Sequence, residues 1–186
     1  LSFDFTAKIE HLIQHRDAVM ELAALGCIFV VSAVESVDDC ILRYLDKGHT
    51  RDDVVTALEI TRSADVALRP SLLPFTPWTT LPGYLELLDF VQNHDLIYQL
   101  DPVQYSIRLL LPPGSWLLDI PEIQPHVGSL VQEDFVYTWQ HPDPRVDMLQ
   151  RQVARVAEEA ASSGEDPATT FYRIKELSVA TIPGRR

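Results

Sequence analysis

The chain has 186 residues, 46% of them apolar and 23% charged, close to folded globular averages and far from disordered, collagen-like or disulfide-stapled compositions. No apolar run approaches the roughly eighteen residues a membrane span needs, and the opening LSFDFTAKIEHL carries a lone Lys8 without the pattern of a signal peptide. Fifteen Lys and Arg against twenty-seven Asp and Glu give a net charge of −12, which repels phosphate backbones and disfavours DNA and RNA as partners.

Hydrophobic period then gives an alternation of strands and helices. Residues 1–7 alternate as a strand, and 16–25 form a helix on Val19, Leu22, Ala23 and Leu25, stopped by Gly26. Residues 27–34 are almost unbrokenly apolar, as in a strand buried on both faces. Ser36 offers an N-cap with Asp39 three residues on, for a short helix through Ile41, Tyr44 and Leu45 that Gly48 ends. Thr50 and Asp53 repeat the start signal for a helix to about Ala64, and 66–73 is the next strand.

After the loop PFTPWTT, residues 81–93 place Tyr84, Leu87, Leu88 and Val91 on one helical face. Residues 103–111 read as a fourth strand, stopped by Pro112, Pro113 and Gly114. This order predicts an α/β fold with parallel strands and right-handed crossovers. Beyond 114 the pattern becomes irregular and Pro-rich, with one candidate strand at 134–139. Helices follow at 144–161 and 167–177, then a loose IPGRR tail.

The two cysteines, Cys27 and Cys40, lie in apolar runs, read as buried free thiols, have no zinc spacing and suit the cytoplasm. In parallel α/β folds ligands gather where strands end. That rule selects Lys8, Glu10 and His11, then Ser32, Glu35 and Ser36, then Arg69, Ser71 and the PFTPWTT loop, then Gln104, Ser106 and Arg108. Carrying both charges, this set suits a small zwitterion. Each member also has a structural reading. Ser36 is a helix cap, Arg108 a partner for Glu35 or Asp101, Trp78 a cover over the sheet end, and Lys47 a helix-end cation. Glu35 directly ends a buried strand, where an unpaired carboxylate is costly. His49, His126 and His141 show no ligand spacing and read as structural.

The segment VVSAVESVDDCILRYLDKGHTRDDVVTALEITRSADVALRPSLLPFTPWTT resembles the second half of a radical S-adenosylmethionine (SAM) barrel. Many members carry a small-residue-plus-ES or QS element on one strand, an acidic helix start, and Arg or Lys before GHT, as in the methylthiotransferases and oxygen-independent coproporphyrinogen oxidases. The following strand then ends in a polar-Pro-x-x-Thr turn, matched by Thr76, Pro77, Trp78, Thr79 and Thr80. LRPSLLPFTPWTTL and DPVQYSIRLLLPPGS resemble the group known by CUAEP/CCAEP tails. The likeness covers about residues 1–115, and HPDPRVD more loosely.

The resemblance implies a partial (β/α) barrel of about four parallel strands over 1–114 and a helical C-terminal extension over 115–186. It implies that Glu35 contacts SAM at its ribose or amino group, Lys47 its carboxylate, and Ser71 its ribose with Arg69 nearby, while Trp78, Gln104, Ser106 and Arg108 face substrate. The intact enzyme would hold SAM and a [4Fe–4S] cluster and cleave SAM reductively to a 5′-deoxyadenosyl radical. Relatives commonly carry a cobalamin-binding or other cofactor domain upstream.

One departure dominates: the CxxxCxxC cluster motif is absent. With Leu1 rather than Met at the start, the expectation is a piece of a longer enzyme, without cofactor or activity alone. Its expected partners are an N-terminal half-barrel and, through the exposed strand edge or half-barrel face, a second copy. The alternative is a non-catalytic α/β module for a small zwitterionic or anionic ligand or a partner protein. An ordinary α/β enzyme centred on Glu35 is a third reading, without nucleophile elbow, P-loop or dinucleotide fingerprint to support it.

Overall fold

Strands β1 (Phe3–Thr6), β2 (Cys27–Glu35) and β3 (Ala67–Leu72) pair in that order into a parallel sheet, in a computed structural model that describes residues 1–182. Two compact units are present: Leu1–Leu72 with Phe90–Asp101, and Leu73–Asp89 with the chain from Pro102 onward.

In the first unit the sheet's two faces differ. Val30, Ser32 and Val34 of β2 and Leu68, Pro70 and Leu72 of β3 are buried, whereas Phe29, Val31, Ala33 and Ser71 are half-buried and Arg69 is exposed. Pro70 has no N–H to give to a ladder, which fits β3 lying at the edge of this sheet. The first crossover is α1 (Ile9–Gln14) and α2 (Arg16–Ala24), the second α3 (Asp39–Tyr44) and α4 (Arg51–Ser63). Helix α4 buries Val54, Ala57, Leu58 and Thr61, and packs on β3 and on α1, which contributes Ile9 and Leu12.

Caps set the helix starts. At α4 the Thr50 hydroxyl accepts from the Asp53 N–H at 3.3 Å while the Asp53 carboxylate accepts from the Thr50 N–H at 2.8 Å, the reciprocal box that the sequence predicts. The start expected at Ser36 moves. The Ser36 N–H is tied back to the Val34 carbonyl at 2.8 Å, so the helix begins later. Asp38 is its cap, accepting from the N–H groups of Cys40 and Ile41 at 2.8 and 3.3 Å.

The second unit holds the start of α5 (Leu81–Asn93), whose last residues belong to the first unit. It also holds a hairpin of β4 (Val127–Val131) and β5 (Val136–Trp139), and two helices, α6 (Pro144–Ser163) and α7 (Pro167–Thr181). Asp143 caps α6 with Pro144 in its first turn, and Asp166 caps α7. Helix α6 buries Val146, Leu149, Val153, Ala157 and Ala160; α7, packed on it, buries Phe171 and Ile174. The Phe171 ring meets Tyr105 at 5.6 Å, and the Tyr84 hydroxyl donates to the Tyr105 carbonyl at 2.8 Å.

The fourth strand expected at 103–111 does not form. Residues Pro102–Ser106 make a 3₁₀ turn, and a single parallel bridge joins Phe75 to Arg108. Phe75 donates to Ile107 at 3.1 Å and accepts from Leu109 at 2.8 Å. Pro77, next on the bonding edge, brings no N–H, and on the other side Pro102–Ser106 has already coiled into the 3₁₀ turn, so the ladder stops after one rung. Three parallel strands therefore stand where a partial barrel of about four was expected. Most of the expected tail, 183–186, lies outside the described residues.

Candidate functional site

The middle strand ends abnormally. Glu35 has φ of 63°, and the bond from the Ser36 N–H to the Val34 carbonyl spans it, the arrangement of a strained three-residue γ-turn. A non-glycine residue held there costs about 1–3 kcal/mol, and such positions cluster at functional sites. The pairing with β3 slips at the same point: Ala33 faces Ser71, but Glu35 faces Leu72.

Lys47 comes to this turn from the loop after α3. Its ammonium donates to Glu35 Oε1 at 3.2 Å, with the two side chains 23% and 21% exposed. The loop curls tightly, with Asp46 at φ 48° and Gly48 at φ 72°. A β-carbon at Gly48 would lie 3.1 Å from Glu10 Oε2, so glycine suits both the backbone and the space. His49 then folds back under the strand, only 8% exposed, with its Nε2 3.3 Å from the Val34 carbonyl oxygen.

A cavity of about 360 Å³ opens beside this turn, lined by Lys8, His11, Ala33, Asp46, Lys47 and His49 among others. At its rim Lys8 donates to Glu10 at 3.2 Å. The charges Lys8, Glu10, Lys47 and Glu35 give the end of the first two strands paired donors and acceptors for a small zwitterion. A second cavity, of about 410 Å³, lies along the same 46–50 loop and includes Asp39 and Arg43.

Arg69 and Ser71 occupy the more exposed sheet face, in register with Val31 and Ala33. The Arg69 guanidinium lies 3.8 Å from the centre of the Phe29 ring, a cation–π contact. Glu35 and Ser71 are thus at the same end of the sheet, and the pairing that joins two of the four candidates directly is Glu35 with Lys47.

Trp78, Gln104, Ser106 and Arg108 belong to the second unit. The Trp78 indole N–H donates to the Glu122 carbonyl at 3.2 Å from a turn locked by the Thr76 and Thr79 hydroxyls, 2.9 Å apart. Gln104 is half-buried in the 3₁₀ turn. The Ser106 hydroxyl donates to the Val103 carbonyl at 2.9 Å. Where the sequence suggests Glu35 or Asp101 as the partner of Arg108, the guanidinium donates to the Asp147 carboxylate at 2.6 Å. The His141 ring accepts from the Asp143 N–H at 2.9 Å, a structural role beside the α6 cap.

Cys27 is buried, and burial pushes its thiol up from the ordinary value; Cys40, expected to be buried, is exposed on the first turn of α3. Among the described residues no group of three or more His, Cys, Asp or Glu side chains is placed to hold a metal ion. Two cysteines in such different settings do not fit a [4Fe–4S] cluster, which takes at least three thiolates in the motif that the resemblance implies. No described helix is long and apolar enough to cross a membrane.

Three solved structures of the cobalamin-dependent S-adenosylmethionine radical enzyme OxsB share this architecture. With aqua-cobalamin and S-adenosylmethionine bound, OxsB superposes with a TM-score of 0.71 at 13% identity over 96% of this chain and 34% of that one. With aqua-cobalamin alone the values are 0.67, 14%, 82% and 28%, and for the apo, selenomethionine-labelled form 0.65, 14%, 82% and 28%. The fold is radical-SAM-like. At this identity the likeness concerns fold alone, and the chain spans about a third or less of the enzyme it matches. No protein-family description matches the sequence, and no curated protein matches it.

Proposed function

We propose that this chain is the second half of a radical SAM barrel with its C-terminal extension, of the group with CUAEP/CCAEP tails, and that its first unit binds part of S-adenosylmethionine. The observation that carries the reading is the Glu35–Lys47 pair at the end of the middle strand, on a fold shared with a SAM-bound radical enzyme. Lys47 offers an ammonium to the SAM carboxylate, and Glu35 an acceptor to its amino group or ribose hydroxyls. Ser71 stands at the ribose, with Arg69 beside it. Trp78, Gln104, Ser106 and Arg108 belong in this reading to the substrate-binding part of the enzyme.

Bound to a reduced cluster, SAM supplies the radical that begins such reactions. The cluster ligands come from outside these 186 residues in this reading, so the chain alone is inert. Proton–nitrogen NMR titration with SAM tests the binding half of the proposal. The expected result is weak binding, about millimolar, with shifts confined to Glu35, Ser36, Lys47 and Ser71 and lost in Lys47→Met. Shifts centred elsewhere, or none at saturating SAM, overturn it.

The alternating charges around the cavity also favour the second reading, a non-catalytic module for small zwitterions. Methionine in place of SAM separates the two. Equal affinity and equal shifts would mean that the adenosyl group is not recognised.

A further inference from the structure

The Val34 carbonyl accepts two hydrogen bonds, from the Ser36 N–H at 2.8 Å and from the His49 ring at 3.3 Å. The first closes the strained turn over Glu35, a glutamate at φ 63°. Nothing in the side chain of Glu favours that conformation, unlike Gly or Asn, so the surroundings have to impose it. Both ends of the turn are buried, Val34 at 1% exposure and Ser36 at 7%. A buried carbonyl oxygen can only accept, so the His49 nitrogen that faces it carries a proton.

His49 reaches this carbonyl because Gly48 takes φ 72°, and the same loop delivers Lys47 to the Glu35 carboxylate at 3.2 Å. Two adjacent features of one loop thus grip the backbone and the side chain of one strained turn. We propose that His49 is a positioning residue: its Nε2–H, given to the Val34 carbonyl, holds Glu35 in the left-handed conformation that meets Lys47. The proposal rests on the reading of Glu35 as a ligand-binding group for its meaning, but its geometry is testable on the protein without any ligand.

Long-range proton–nitrogen NMR of the histidine rings reads the tautomer directly. The expected result is Nε2–H with an unprotonated Nδ1 at mildly alkaline pH; the opposite tautomer overturns the proposal. Amide exchange at Ser36 reads the turn. Replacing the ring by an apolar group, His49→Leu, is expected to speed that exchange by about fivefold to tenfold, the loss of one ordinary hydrogen bond. His49→Gln, which retains an N–H donor, restores protection.

Glu35→Gly supplies the readout that a merely structural histidine would not move. Glycine takes φ 63° without a β-carbon, so in that background His49→Leu changes Ser36 exchange by less than about twofold. An unchanged Ser36 amide in His49→Leu, no rescue by His49→Gln, or an undiminished effect in the glycine background each overturns the proposal. A SAM titration that fails while these results hold would discard the ligand assignment and leave the positioning role standing.

Discussion

At Arg108 three interactions converge on one guanidinium. One nitrogen donates to Asp147 at 2.6 Å, another to the Trp139 carbonyl at 2.8 Å, and the guanidinium carbon lies 3.4 Å from the Trp139 ring centre. Asp147 in turn accepts from the His141 N–H at 3.0 Å, so the pair ties the hairpin strand β5 to the start of α6. A planar fork that stacks and donates sideways is a property of Arg that Lys lacks. Arg108→Ala is expected to cost about 2–4 kcal/mol, because it strands a carboxylate that is largely shielded from water. Arg108→Lys should recover less than half of that. Urea unfolding of the three proteins checks it, and full recovery by Lys would show that charge alone matters.

Asp143 makes a prediction about acid. Hydrogen bonds from the Arg145 side chain, then from its backbone N–H, hold the Asp143 carboxyl down to about 2 in the folded protein. Its unfolded value is about 4. A carboxyl depressed by folding contributes stability that is complete above the unfolded value and is lost as pH falls from there through the folded one. Asp143→Asn keeps an acceptor for the helix start but has no charge to lose. The thermal midpoint of Asp143→Asn is therefore expected to fall less steeply below about pH 4. Parallel acid slopes in circular dichroism would refute the assignment. The group is near the surface, so the difference is small.

Among the elements, the connection from α2 into β2 turns on Gly26. Its φ is 103°, and a β-carbon there would lie 2.4 Å from the Leu1 carbonyl oxygen, beside the bond from the Phe3 N–H to the Gly26 carbonyl. Gly114 is also at positive φ, 82°, with nothing near its missing β-carbon. Gly114→Ala should cost only the backbone term, about 1 kcal/mol, and Gly26→Ala about 1–2 kcal/mol more, since β1 has to shift as well. Equal losses would mean that the start of β1 yields freely.

The same elements show why part of the fold is legible in sequence. The β2 run, the Thr50–Asp53 box and the apolar face of α5 are local signals, and the structure places these elements where those signals do. Helix α1 leaves little trace, being six residues behind Lys8, whose side chain caps nothing. Strand β4 has exposed Gly128 and Ser129, and takes its place only by pairing with β5. The apparent strand at 103–111 has the right alternation, but its first residues coil into a 3₁₀ turn and a single bridge, Phe75 to Arg108, is what pairs with the rest. At the candidate site Glu35 and Lys47 follow from the strand-end rule and the resemblance. The left-handed turn at Glu35 leaves no mark in sequence, because neither Glu35 nor its neighbours is a residue that prefers it.

For the molecule as a whole, the two thiols give the sharpest test. Iron–sulfur assembly needs thiolates that converge, whereas Cys27 lies within the sheet, its thiol 3.4 Å from the Phe29 carbonyl oxygen and raised by burial. Cys40 is exposed, with the Arg43 guanidinium 3.9 Å from its sulfur. Anaerobic reconstitution of this chain with iron and sulfide should therefore give less than one iron per chain, all of it on Cys40. Cys40→Ser removes that iron, whereas Cys27→Ala leaves it in place at the cost of a small core void. Iron that survives Cys40→Ser would show that it sits on other ligands, and stoichiometric cluster absorbance from these 186 residues would overturn the reading in which the cluster ligands lie elsewhere.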